Sequence, residues 1–328
     1  MYRNKAFVVF GAFFSFLAIS PSAMADRIVA GDFDQGRGWL EQRKLDLTDT
    51  PHEALTEGFI LVAGQGLPMA GGSPAQQRMT AIRAAEIMAY RRLAEIINGV
   101  HVSGQTTVRD CSLESDVVKS AVNGLIKGAR KVHEEWNPAE GSAVVLMQVG
   151  VLGSDGVAEA MYSNYINTAP VRARQQTARY TPPVALAAVA PVTVHVPVPV
   201  PAPIVAPVAP VVAPVEPHDG LIVDARELGF QPALINRIFS SKGEALYDPS
   251  RVSQKILVEQ GAGEYTNTIE KARAALEARG AKLPLIVKAT GLKTMADLNV
   301  SDEDVLRIYM ADQKGNFLAS AKVAFVLK

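Results

Sequence analysis

Between Thr181 and Pro217 the chain is written almost entirely in proline, valine and alanine. Proline fixes φ and lacks an amide donor, so such a run cannot continue a helix or sit inside a sheet, and it favours polyproline II. Whatever folds in this chain of 328 residues must fold before or after that run. The expected organisation is a signal peptide at 1–25, an N-terminal arm at 26–58, a first domain at 59–152, a helical and polar tail at 153–180, the Pro-rich linker at 181–218 and a second domain at 219–328. Fully extended, the linker would span on the order of 115 Å. It reads as a spacer that leaves its flanking domains independent in orientation.

The N-terminus places the chain in a compartment. Arg3 and Lys5 precede an apolar run from Ala6 to Ile19, and the small-x-small triplet Ala23, Met24, Ala25 follows. This is the order of a secretory signal peptide cut after Ala25. The run is shorter than the roughly 20 residues that cross a bilayer as a helix, which weighs against a permanent anchor. The expected location is the periplasm, with outer-membrane association open. The single cysteine, Cys111, excludes an intramolecular disulfide and is either buried or paired between chains. Lysine plus arginine balance aspartate plus glutamate, 33 against 33, so no nucleic-acid partner is indicated.

No motif names a reaction. His52, His101, His133, His195 and His218 have no metal-ligand spacing, and neither GxSxG nor a plausible catalytic cysteine occurs. Asp32 and Asp34 sit in a turn lacking the further ligands of a calcium loop. Gly64-Gln-Gly66 lacks the third glycine of a dinucleotide fingerprint and reads as a tight turn. Asp302, Glu303 and Asp304 suit the first turn of a helix through its dipole. Expected catalytic, metal and cofactor residues are therefore none. Arg172, Arg174 and Arg179 read as a solvated tail.

The folded parts read as α+β: two small domains, each with helices packed on a mainly antiparallel sheet. Phe59 to Ala63 is a buried strand. Ser73 and Pro74 cap a long helix on which Met79, Ile82, Ala85, Ala89, Leu93 and Ile96 form an apolar stripe, with Arg91 and Glu95 as an i,i+4 pair. Its alanines let a sheet approach closely, and Asn98-Gly99 stops it. A strand over Val100 to Arg109, a helix over Leu113 to Arg130 capped by Ser112, and strands over Lys131 to Trp136 and Ala143 to Leu152 complete this domain, followed by a short helix from Asp155. In the second domain the expected elements are strands at Leu221 to Ala225, Leu285 to Ala289 and Ala321 to Leu327. A hairpin forms around Lys242-Gly243, a helix starts with an Asn267–Glu270 capping box and ends at Gly280, and another is opened by Ser301.

Ala85, Ala89, Tyr90, Arg91, Leu93 and Glu95 spell an Ala-x-x-x-Ala-Tyr-Arg-x-Leu-x-Glu helix pattern, Gly99 and Val100 open the strand after it, and Gly124, Gly128, Ala129 and Arg130 form a later Gly-x-x-x-Gly-Ala-Arg element. In these motifs residues 59–152 resemble the Lpp-twenty-type envelope lipoprotein family, which includes FlgP-like flagellar proteins. The resemblance implies a non-enzymatic structural or assembly protein of the envelope, with the flagellar motor as one setting. Its partners would be other copies, envelope or flagellar proteins, peptidoglycan or the outer membrane. Ala85, Ala89, Tyr90, Arg91, Leu93, Glu95, Gly99, Gly128 and Arg130 are then packing and interface positions. The chain departs from the family in lacking the lipidated cysteine and in carrying the linker and second domain. A binding module for peptidoglycan or a partner protein, and a carboxylate-based hydrolase, are the competing expectations.

Overall fold

The computed structural model describes residues 34–166, 168, 178–182 and 217–328. The expected signal peptide and its cut, most of the Pro-rich run, Asp32, Arg172, Arg174 and His195 lie outside the described residues. Among the described residues, no helix is long and apolar enough to cross a membrane.

The first unit opens with two short helices, α1 (Asp34–Arg43) and α2 (Pro51–Glu57). Thr50 and Glu53 form a reciprocal capping box that starts α2. Strand β1 (Phe59–Gly66) then leads to α3 (Pro74–Gly99), capped by Ser73 and Gln76 with Pro74 in the first turn. A small hairpin of β2 (His101–Ser103) and β3 (Thr106–Thr107) follows. The helix expected over Leu113 to Arg130 is two helices, α4 (Val108–Glu114) and α5 (Asp116–Lys127). The break arises because Ser115 takes an extended conformation and caps Val118, so Ser115 replaces Ser112 as the cap. The strand expected over Val100 to Arg109 is correspondingly cut short, since Val108 and Arg109 belong to α4.

Strands β4 (Arg130–Asn137) and β5 (Ser142–Gly150) form the expected hairpin, and the sheet order is β1-β5-β4, antiparallel throughout. One face of this sheet carries α3. The other buries Leu61, Val144 and Leu146 beneath Trp39, Leu40, Leu45 and Leu47 of the N-terminal arm. Helix α6 (Val157–Met161) and a π-helical turn (Tyr162–Ile166) close the unit.

The second unit holds a seven-stranded sheet. Its strands are β6 (Gly220–Asp224), β7 (Arg237–Phe239), β8 (Ala245–Tyr247), β9 (Glu264–Thr266), β10 (Pro284–Thr294), β11 (Asp297–Val300) and β12 (Val323–Val326). They lie in the order β8-β7-β11-β10-β6-β12-β9. Its helices are α7 (Gln254–Gln260), α8 (Ile269–Ala278) and α9 (Asp302–Gly315). Thr268, not Asn267, caps α8 by accepting from Lys271 N.

The α+β class holds for both units, but the second sheet is mixed. The β10–β6, β12–β6, β12–β9 and β11–β7 pairs are parallel, and only β10–β11 and β7–β8 are antiparallel. The expectation of a mainly antiparallel sheet is corrected here. The physical reason is two-sided burial: Ile222, Ala324 and Val326 face α8, while Leu221, Val223, Val323 and Phe325 face the core shared with α9.

The two units share one continuous apolar cluster, which runs from Ala85 and Leu93 through Tyr162 to Phe325. Backbone hydrogen bonds sew the seam: Leu234 N donates to His101 O at 2.9 Å, Ile235 N to Val102 O at 2.9 Å, and Gly153 N to Val258 O at 2.8 Å. The Tyr162 hydroxyl donates to Leu234 O at 2.8 Å. Residues 178–180 extend the second sheet at β8, where Ala245 N donates to Ala178 O and Tyr180 N to Ala245 O. The expectation of units independent in orientation is thus corrected: a shared core and a hydrogen-bonded seam fix them.

Candidate functional surface

The residues expected at packing and interface positions lie on helix α3, at its end and at the α5–β4 junction, and they divide by depth. Ala85, Ala89 and Leu93 are fully buried. They lie against β1, where Gly64 and Gly66 have no side chain to hold the helix off. A Cβ on Gly64 would stand 2.1 Å from Ala85 O, and one on Gly66 would stand 2.1 Å from Ala81 O. The Gly-Gln-Gly pair is therefore the floor of a helix-on-strand contact, and its reading as a tight turn is corrected. Gly99 has a related role, since a Cβ there would meet Pro51 Cγ at 2.6 Å.

Tyr90 is half-buried and packs its ring on the core edge, while Arg91 and Glu95 are exposed. Arg91 reaches the Met88 sulfur at 3.8 Å, and Glu95 pairs instead with Arg92 at 3.9 Å, one residue nearer along the helix. Arg92 also reaches Asp49 at 3.4 Å and ties α3 to the segment before α2. Gly128 and Arg130 are exposed where α5 gives way to β4, and Arg130 donates to the Gln148 side chain at 3.3 Å. Met79, placed by periodicity on the buried stripe, is instead largely exposed.

An ion cluster bridges α3 and β4. Glu86 accepts from Arg83 at 2.8 Å and Lys131 at 3.1 Å, and Lys131 also bonds Glu134 at 2.5 Å. Hydrogen bonding by Arg83 draws the Glu86 carboxyl below its ordinary range, and Glu134 raises the Lys131 ammonium. These groups are mutually satisfied, which suits them to holding a helix on a strand rather than to proton transfer.

Groups with reactive potential are spent similarly. Cys111 is buried and its thiol is pushed up to about 12 by burial, so it is an unreactive core residue. Tyr165 beside it donates to Glu114 at 2.6 Å. Asp302 accepts from Ser241 at 2.5 Å, and Asp304 accepts from Ser301, the cap of α9, and from Arg307, so two of the three acidic side chains in the first turn of α9 are held in structural bonds. His133 stacks on Trp39, with its Nε2 3.8 Å from Glu135 Oε2 and both atoms buried. Among the described residues, no three His, Cys, Asp or Glu side chains converge as metal ligands. A groove of about 400 Å³ beside α5 is lined by Asp116, Lys119, Ser120, Asn123, Gly124 and Lys127. All six come from one helix, so the groove brings together no groups from separate elements.

Sequence reasoning missed the polar pins of the seam and second unit. Asn236 is fully buried, takes Ala233 N on its side-chain oxygen at 3.1 Å and donates to Ala296 O at 2.6 Å. Arg279 spreads its guanidinium over Glu264 Oε1 at 2.6 Å, Ala321 O at 2.7 Å, Gly261 O and Gln260 O. An asparagine between Ile235 and Arg237 reads locally as a turn residue, because the bonds that make it a pin reach Tyr265 and Ala296, 29 and 60 residues away.

Residues 220–328 match the family described as Treponema pallidum Tp0624, second domain. The match begins and ends with the second unit. No curated protein matches the chain.

Proposed function

We propose that the chain is a non-enzymatic structural or assembly component of the cell envelope, exported to the periplasm and associated with the outer membrane, with the flagellar motor as the assembly it serves. The observation that carries this reading is the division of labour on α3. Its family-like alanines and Leu93 are consumed in packing on β1, whereas Arg91 and Glu95 share the outer side with exposed Ile87 and Met88. A rigid helix with an apolar and charged outer face is suited to binding another copy or a neighbouring envelope protein. The signal-like N-terminus and the resemblance of residues 59–152 to FlgP-like proteins support the location.

The experiment is deletion of the gene, scored by swimming and by electron cryotomography of the motor. Loss of motility with missing density around the motor is expected. Normal swimming with unaltered motors would reject the flagellar assignment. For self-association, Ile87→Lys should lower the assembly state in sedimentation, and an unchanged state would reject that face.

A further inference from the structure

The end of the first unit opposite the seam carries chemistry that the packing does not use. From Phe59 to Gln77 the chain has no charged residue. Leu67 and Met69, just past the end of β1, are 68% and 70% exposed, and Met79 on the first turns of α3 is 70% exposed. Met69 N donates to Thr80 Oγ1 at 3.2 Å, which sets the loop against the turn that bears Met79. Pro68 lies 4.0 Å from a Cβ built on Gly141, so the β4–β5 turn joins the same end. Arg78 and Glu140, one of each sign, stand at its border. At 1.5 Å per residue, α3 separates this tip from the seam by roughly 39 Å.

We propose that this tip inserts into the interfacial region of a lipid bilayer, with Leu67, Met69 and Met79 as the inserted side chains. Three side chains cannot supply the roughly 800 Å² per partner that a stable protein interface buries, which disfavours a second copy as the occupant. A fluid acyl boundary needs no matching surface and accepts single protruding side chains. The uncharged stretch removes the desolvation penalty that a lysine or carboxylate would bring. Two loop amides are bonded within the tip, Met69 N to Thr80 Oγ1 at 3.2 Å and Ser73 N to the Gln76 side chain at 2.8 Å, and the glycine-rich turn between them would stay at headgroup depth, where water is present. With Arg78 and Glu140 offsetting each other, attachment depends on apolar burial and not on anionic lipid. The insertion rests on the membrane association in the proposed function, whereas self-association uses the outer face of α3, so failure of vesicle binding and failure of assembly are distinguishable.

The test uses the full chain carrying Met69→Cys, labelled with an environment-sensitive fluorophore; buried Cys111 does not compete for the label. Lys282→Cys, on the second unit, is the labelled control. Vesicles of phosphatidylcholine alone, and of phosphatidylcholine with phosphatidylglycerol, should blue-shift the label at 69 and not at 282, with the same affinity at low and high salt. Adding Leu67→Ser and Met79→Gln should weaken vesicle binding by roughly a hundredfold, about tenfold per side chain, with an unchanged thermal melt. No shift at 69, an equal shift at 282, or a shift that needs anionic lipid and vanishes in salt would overturn the proposal. So would a shift that grows with protein concentration in the absence of vesicles, which would assign the tip to a second copy.

Discussion

Gly64→Ala adds one methyl group at the point where the fold has least room for it. The new Cβ would lie 2.1 Å from Ala85 O and 2.4 Å from Ala89 N, where ordinary contact is 3.4 Å or more. Both obstacles are backbone of a regular helix, so no side chain can rotate away, and α3 must retreat from β1 by about 1 Å. A gap of that size forfeits about a quarter to a half of the dispersion energy of the contacts it opens. The contacts opened belong to Ala81, Ala85, Ala89 and Leu93, all fully buried. Overpacking usually destabilises by 1–3 kcal/mol, and a backbone obstacle puts this case at about 3 kcal/mol. Relief of glycine's extra chain entropy returns about 0.5–1 kcal/mol, leaving a net loss of about 2 kcal/mol. In urea denaturation this should lower the midpoint by about 1 M at a typical slope. Gly124→Ala is the control: it lies within α5 with open space around a Cβ and should stabilise by about 0.5–1 kcal/mol. A Gly64→Ala midpoint equal to wild type would refute the close-approach argument.

Arg279→Ala should destabilise by about 3 kcal/mol, because it strands Glu264 and the Ala321 carbonyl, and Arg279→Lys should recover little of that since an ammonium cannot reproduce the fork; equal melts for wild type and Arg279→Lys would count against this. Tyr162→Phe removes one buried hydroxyl donor to Leu234 O and should lose about 1–2 kcal/mol from a single shared transition, read by calorimetry; a second, separate transition appearing in wild type would show that the seam does not couple the units. Burial raises the Cys111 thiol to about 12 and raises the Tyr162, Tyr165, Tyr247 and Tyr265 hydroxyls. Groups with raised folded values contribute stability that is complete below their unfolded values, near 9 for the thiol and 10 for tyrosine, and that falls as pH rises beyond them. Ionisation of these four tyrosines should therefore accompany loss of near-ultraviolet circular dichroism, and their ionisation, assigned by single Tyr→Phe variants, in a chain that stays folded would refute the burial argument.

Much of the first unit was legible because its signals are local. Ser73, Pro74 and the Ala81–Ala85–Ala89–Leu93 spacing give the start and the buried face of α3, and Asn98-Gly99 gives its end. Gly64 and Gly66 were misread because glycine marks turns and close approaches alike, and only the helix lying on them separates the two. Met79 was misread because a periodic stripe does not say where its covering strand ends: β1 stops at Gly66, before that turn of α3. In the second unit, Leu221-Ile222-Val223 and Val323 to Phe325 run apolar without alternation, a sign of two-sided burial and parallel neighbours. Strands as short as β9 and β11 carry too few residues to show any period. The seam was illegible for a different reason, since His101 and Leu234 meet through backbone groups that every residue possesses.

The docking of residues 178–180 onto β8 changes what the proline-rich run connects. Its upstream end leaves from the edge of the second sheet, and its downstream end re-enters that unit at Asp219, whose carboxylate accepts from Lys282 N and Leu283 N. Both described ends are thus stapled to one body, so the run joins two points of the second unit instead of measuring a distance between two units. Ring-closure entropy grows only logarithmically, about 0.6 kcal/mol for each doubling of length. The run can therefore be halved or doubled with little effect on the fold, and its length is set free from the spacing of the units it was expected to govern.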